Sequence, residues 1–393
     1  MFYQRQILPV LEKELHTKEN LVLTGMRQVG KTTILLHLFS QITSENKVLF
    51  DFENPLNRKI FEEENYDAIW QNLAHFGITK ERQSYIFLDE VQHLPRISSV
   101  VKYLSDHYPV KFFLTGSSSY YLKNMFPESM AGRKLIYELY PLTFSEFLAF
   151  KGVERRTPIT FSEKVNKKNM IAYELVVSYY NEYMRFGGFP KIVLEQDVVR
   201  KKELLLDVFT SYFEQDVKSL ADIKDTAILR DLILLLVPRI GSKIEVAKLA
   251  STLSISRETV YSYLTFLERT YFISLLPKFS ASIDRQAAGS KKVFFCDSGL
   301  ASVLGGLSEG QRFEQSVFQA LRPHHALSYY QTESGGEIDF ILDKKTALEV
   351  KTHTGKQEIE FLNRRAKNLP VDESYVVTLD YTQEKQALLA TDL

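Results

Sequence analysis

The 393-residue chain predicts an α/β protein. A parallel sheet with a phosphate-cradling turn comes first, helical modules follow, and a smaller α/β sheet closes the chain. Three observations carry this. The apolar run Leu21, Val22, Leu23 leads straight into GMRQVGKTT (25–33), and the amphipathic stretch Ile34, Leu35, Leu36, Leu38, Phe39 follows. Further apolar runs, KVLFDF (47–52), YIFLDE (85–90) and KFFLTGSSS (111–119), end in polar residues, as buried parallel strands do where they open onto a site. Near the end, IDFIL (338–342) and ALEVK (347–351) read as two strands around a polar turn.

Composition frames the reading. Hydrophobic content of 45 % and charged content of 25 % are those of a globular protein, and the length calls for roughly two to four domains. Lys and Arg total 49 and so do Asp and Glu, so any nucleic-acid binding must come from local patches. Cys296 is the one cysteine. It permits neither an intrachain disulfide nor a thiolate metal cluster and reads as a buried apolar thiol. The aliphatic run at 232–237 is far short of a membrane span, and the opening MFYQRQILPV lacks signal-peptide character. A reducing, cytoplasmic compartment and no membrane partner are expected.

Residues 7–15 read as a short helix entering the first strand. Arg5 and Ile7 fit either a contact with a nucleotide base or an ordinary surface helix. The turn then satisfies G-x-x-x-x-G-K-[ST] through Gly25, Gly30, Lys31 and Thr32. A chain wrapped round a polyphosphate exposes consecutive amides, here those of Met26, Arg27, Gln28, Val29 and Thr33 as well, and glycine tolerates the dihedrals at both ends. The following helix adds partial positive charge. Lys31 is expected to reach the β/γ-phosphates of ATP, and Thr32 to ligate Mg²⁺.

In YIFLDE, Asp89 is expected to hold the Mg²⁺ shell through water, and Glu90 to orient and deprotonate the attacking water. At the end of the 111–119 strand, Ser117 is the residue expected to contact the γ-phosphate and that water, with Thr115 as the alternative. A helix over 120–130, the tripeptide Ala131, Gly132, Arg133, and a strand over 134–139 complete the domain.

This order of parts resembles the AAA+ class of P-loop ATPases. The resemblance implies that Arg133 is a finger inserted against the γ-phosphate of a neighbouring copy, a role worth on the order of 10³–10⁵ in rate. The alternatives are a surface arginine or an intramolecular salt bridge. Helical patterning over 144–150 and 172–186 then runs into Gly187, Gly188, Phe189, Pro190. By resemblance to the signal-transduction branch, Gly188 and Pro190 pack on the nucleotide base, and a plain helix–helix turn explains them too. The series GMRQVGKT, FLDEVQHL, LTGSSS, AGR…PLTFSEF, GGFP is similar to a large bacterial and archaeal family of AAA-type ATPases carrying a C-terminal domain of unknown function.

Residues 243–276 read as a helix–turn–helix with a strand for a wing. Ser256 is the N-cap of the second helix, and Val260, Leu264 and Leu267 are its core stripe. Arg257, Thr259, Ser262 and Tyr263 are the groove-facing candidates, and dimerisation or lid duty is the alternative. In the last segment Asp339, Glu349 and Lys351, with Glu314 upstream, resemble the PD-(D/E)xK nuclease fold. That resemblance implies Mg²⁺ on Glu314, Asp339 and Glu349 and a water acidified by Lys351. A four-residue loop would turn Asp339 to the wrong face, so an odd-length loop or a bulge is required. The alternative is a buried salt-bridge cluster.

The expected organisation is therefore an AAA+ domain (1–150), a helical lid (151–225), a winged helix–turn–helix (226–282) and a restriction-endonuclease-like domain (283–393). The expected function is ATP hydrolysis with Mg²⁺ in an assembly of copies of the chain, coupled to a nuclease-like module directed at DNA or other nucleic acid. The alternative is a nucleotide-dependent switch or scaffold with slow hydrolysis and a silent, protein-binding C-terminal domain.

Overall fold

The structure, a computed structural model, describes residues 2–117, 133–218, 225–280, 289–332, 335–367 and 369–393. The helix expected over 120–130, together with Ser118, Ser119, Ala131 and Gly132, lies outside them. The chain forms two compact units, one of Gln4–Tyr140 with Arg269–Tyr271, the other of Pro141–Glu268 and Phe272–Leu393 with the first residues.

In the first unit α1 (Leu8–Lys13) leads to β1 (Asn20–Thr24), α2 (Lys31–Gln41), β2 (Lys47–Asp51), α3 (Pro55–Lys59), α4 (Tyr66–Ala74), β3 (Ser84–Asp89), α5 (Ile97–His107), β4 (Val110–Gly116) and β5 (Lys134–Glu138). The sheet order is β2-β3-β4-β1-β5, and every pairing is parallel. Parallel neighbours require crossovers, which the intervening helices supply. The central strands β1 and β4 are buried along their whole length, which is why their sequences are nearly unbroken apolar runs. Edge strand β5 is half-buried throughout. Because β4 inserts between β1 and β3, the glycine-rich turn after β1 and the acidic end of β3 flank its C-terminal end. That placement builds the site.

The second unit begins with α6 (Phe144–Phe150), α7 (Phe161–Asn166), α8 (Met170–Phe186), α9 (Pro190–Leu194), α10 (Val198–Ser211) and α11 (Thr226–Leu236). Thr143 and Glu146 close a capping box on α6, satisfying two orphan amides. Next come α12 (Val246–Leu253), α13 (Arg257–Arg269), and an antiparallel ribbon of β6 (Ile273–Leu276) and β7 (Lys292–Phe295). Ser254 makes the left-handed turn between α12 and α13 at φ 54°, and Ser256 Oγ accepts the Thr259 N–H at 3.0 Å. Val260, Leu264 and Leu267 are buried as expected. Tyr263 departs from expectation: it is buried with them, because its position falls on the same helical face as Val260 and Phe266. It presents nothing to a groove.

The chain ends in α14 (Ser298–Leu304), α15 (Glu309–Leu321), β8 (Leu327–Gln331), β9 (Glu337–Leu342), β10 (Thr346–Lys351), α16 (Lys356–Ala366), β11 (Glu373–Thr378) and β12 (Ala387–Leu389). The sheet order is β12-β11-β10-β9-β8. The β8–β9 and β9–β10 pairs are antiparallel, and β10–β11 and β11–β12 are parallel. Among the described residues no helix is long and apolar enough to cross a membrane.

Candidate functional site

The turn after β1 has the backbone that its glycines predict. Gly25 lies at φ 150°, and a Cβ there would meet the Leu139 carbonyl oxygen at 2.1 Å. Gly30 caps α2 at φ 101°, and Gln28 takes φ 64° between them. Met26 and Val29 are buried anchors, so the loop is held from below. The Lys31 ammonium, 4 % exposed, donates to the Gly25 and Met26 carbonyls at 3.0 Å each. It thereby spans the cradle.

The acidic end of β3 lies against this turn. The Thr32 hydroxyl donates to Asp89 Oδ2 at 2.7 Å, and Thr115 Oγ1 donates to Asp89 Oδ1. Burial pushes the Asp89 carboxyl up, although both hydroxyls pull it back. Burial also acts upward on Glu90, but the Lys31 ammonium, then the Gln92 amide and Arg27, outweigh it and hold that group below the ordinary carboxylate range. Two adjacent acids are driven in opposite directions, as happens where one is to stay ionised in a buried site. Glu90 adopts φ 54°, a left-handed conformation uncommon for a side-chain-bearing residue, and its N–H donates to Thr115 Oγ1 at 3.0 Å.

Three residues here extend the sequence reading. Thr115, the alternative, is the hydroxyl that touches the acidic pair. The Ser117 backbone N–H instead meets Gln92 Oε1 at 3.4 Å, while Gln92 Nε2 donates to Glu90 Oε2. Gln92, unremarked in DEVQ, therefore bridges the end of β4 to Glu90. Arg5 is buried and donates to the Val29 carbonyl at 2.9 Å and the Tyr140 carbonyl at 2.8 Å. It braces the turn, a role outside both readings of it.

Arg133 sits just before β5, its carbonyl accepting the Asn20 N–H at 2.9 Å. Asn20 begins β1 and pairs with Lys134, so Arg133 is at the opposite end of its own sheet from the turn. Its guanidinium pairs with Asp106 at 2.9 Å.

Gly188 and Pro190 belong to the second unit, where a buried carboxylate accounts for the neighbouring Gly187 and the Leu142 backbone for Gly188. Asp297 accepts the Gly188 N–H at 2.7 Å, the Leu300 N–H at 3.0 Å and the Gln319 amide at 3.1 Å. A Cβ on Gly187, at φ 74°, would meet Asp297 Oδ1 at 1.9 Å, and one on Gly188 would meet the Leu142 carbonyl oxygen at 2.3 Å. Burial lifts the Asp297 carboxyl to about 6 despite these donors.

In the C-terminal sheet the β9–β10 loop spans residues 343–345, the odd length required. Phe340 then faces Leu348, and Asp339 Oδ2 accepts the Val350 N–H at 2.8 Å. The expected Mg²⁺ set of Glu314, Asp339 and Glu349 nonetheless does not assemble. Among the described residues no three His, Cys, Asp or Glu side chains are arranged to hold a metal ion. The physical reason is a cation of the protein's own: Lys292 Nζ lies 3.5 Å from Glu314 Oε1 and 3.7 Å from Asp339 Oδ1, and it also pairs with Glu337. Glu349 turns to Lys351 at 2.9 Å and Arg365 at 3.1 Å, so Lys351 is tied up in an ion pair. The cluster has the salt-bridge arrangement that the sequence left open.

Residues 17–148 match the model of an AAA domain, and residues 177–311 match a domain of unknown function. An uncharacterised protein of Methanocaldococcus jannaschii is 28 % identical over 92 % of this chain and 82 % of its own. Another from Haemophilus influenzae is 27 % identical over 82 % of this chain and 79 % of its own. A Mycobacterium tuberculosis protein is 25 % identical over 85 % of this chain and 69 % of its own. Among solved structures, AMPPCP-bound DnaA from Aquifex aeolicus is 14 % identical, with a TM-score of 0.30 over 68 % of this chain and 89 % of that one. That likeness is too distant to inform function.

Proposed function

We propose that the first unit binds ATP and hydrolyses it to ADP and phosphate. The contact of Thr32 with Asp89 at 2.7 Å carries this reading, because it sets the phosphate cradle one hydrogen bond from the acidic end of β3. The loop amides and the Lys31 ammonium bind the β- and γ-phosphates. Glu90, kept ionised, accepts a proton from the water whose oxygen attacks the γ-phosphorus as the bond to the leaving ADP oxygen breaks. Thr115 and Gln92 fix the carboxylates that this step uses. The Thr32 hydroxyl and the Asp89 carboxylate are hard oxygen donors suited to Mg²⁺, which when bound neutralises phosphate charge.

Arg133 stands too far along its own sheet to serve its own turn, and we assign it to the γ-phosphate of a neighbouring copy. Its half-exposed pair with Asp106 holds it by only about 0–1 kcal/mol, so release is cheap. For the second unit, contact with nucleic acid through the groove-facing candidates of α13 rests on Arg257 as the one basic residue among them, which is thin for phosphate neutralisation. The ion-paired cluster around Lys292 favours a C-terminal module that binds a partner without cutting it.

Glu90→Gln is the test. Phosphate release should fall by about 10²–10⁴-fold while ATP stays bound. Release by the wild type no faster than by the variant would leave a nucleotide-dependent switch as the function.

A further inference from the structure

We propose that the Lys292 ammonium is a built-in counter-ion that occupies the centre of the C-terminal carboxylate cluster in place of a divalent cation, so that the cluster takes up such a cation only when Lys292 is removed or withdrawn. This holds whether or not the first unit turns over ATP. Lys292 opens β7 and is 1 % exposed. Its ammonium contacts Glu314 on α15 and Glu337 and Asp339 on β9. Three carboxylates converge on a single positive charge. They are the hard oxygen donors that Mg²⁺ or Mn²⁺ would choose.

A second observation points the same way. Glu349 is 5 % exposed, and its Oε2 has no hydrogen-bond partner. An unmet carboxylate oxygen in a buried setting is costly, and Asp339 lies close enough to raise the Glu349 carboxyl alongside burial. The cluster thus holds more acceptor capacity than its lysines and arginine use.

The fold also keeps Lys292 where it is. Leu276 pairs with it across the ribbon. Three residues on, Phe295 exchanges both backbone bonds with the Gln315 side chain, at 2.9 and 2.8 Å, and Gln315 adjoins Glu314 on α15. Gly241, at φ 73°, has Glu314 Oε2 2.2 Å from where a Cβ would stand, so the chain there is shaped to admit that carboxylate. A tethered ammonium competes at high effective concentration. It cannot act as a Lewis acid on water as a divalent ion does. With β7 docked, the sheet is an ion-paired platform.

The experiment counts Mn²⁺ bound by the full-length protein without nucleotide, using electron paramagnetic resonance of the free ion. The wild type and Asp339→Asn should bind equally, which places no Mn²⁺ on the cluster. Lys292→Met and Lys292→Gln should each gain one Mn²⁺ per chain, at least about tenfold tighter than any wild-type binding, and adding Asp339→Asn should abolish the gain. Two results overturn the proposal: wild-type binding that Asp339→Asn removes, or folded Lys292 variants that bind no more than the wild type. If neither Lys292 variant folds, the comparison of wild type with Asp339→Asn decides alone.

Discussion

Thr32 Oγ1 donates to Asp89 Oδ2 at 2.7 Å, joining the first turn of α2 to the end of β3. The other Asp89 oxygen accepts from Thr115, so one carboxylate gathers three elements. Such bonds to a charged group contribute about 1.5–3 kcal/mol each, enough to hold the turn and the acidic strand end in register before any ligand arrives.

Thr115→Val keeps the shape of the side chain and removes the hydroxyl. Phosphate release should fall about tenfold or more, and further than in Ser117→Ala, because Thr115 is the hydroxyl bonded to Asp89. Steady-state turnover of the two variants decides the matter. A larger loss in Ser117→Ala would restore Ser117 as the contacting residue.

Gln92→Ala frees one oxygen of Glu90 and cuts the bridge to the end of β4. The nucleotide dissociation constant should stay put while kcat drops by about 10²-fold, the scale of a misplaced catalytic group. A change in affinity with kcat intact would contradict the assigned role.

Asp297 makes stability depend on pH. Its carboxyl titrates near 3.8 when free and at about 6 in the fold. Between those values the folded state holds more protons than the unfolded one. The stabilising contribution is therefore complete below about pH 4 and lost as pH rises through about 6, amounting to about 3 kcal/mol. Urea unfolding across that window should show the slope in the wild type and lack it in Asp297→Asn. Gly187→Ala, whose Cβ would strike Oδ1, should cost about 1–3 kcal/mol or more at any pH. Parallel pH curves for wild type and Asp297→Asn would refute the assignment.

Local pattern was enough for the elements that position the nucleotide site. The apolar run at Leu21, Val22 and Leu23 could only be a buried strand, and Gly25 and Gly30 sit at positive φ where a phosphate-wrapping turn needs them. Thr115 and Ser117 are not separable by local pattern, because both stand at the end of the same strand and only the pairing of β3 with β4 sets which hydroxyl meets Asp89. Arg5 braces Val29 and Tyr140 across 24 and 135 residues of sequence, and no short-range signal encodes that. Lys292 stands just ahead of an apolar run, and nothing local marks it out. Its three acidic partners come from α15 and β9, so its role appears only once the ribbon docks. Asp297, ahead of Ser-Gly-Leu, did carry a legible helix-capping signal, though not its bond to Gly188.

The most direct trial of the account is calorimetric titration of Mg–ATP into the wild type and into Lys31→Ala. One site per chain in the wild type, lost in the folded variant, is the predicted result. No heat from folded wild type, or equal binding by Lys31→Ala, would contradict it.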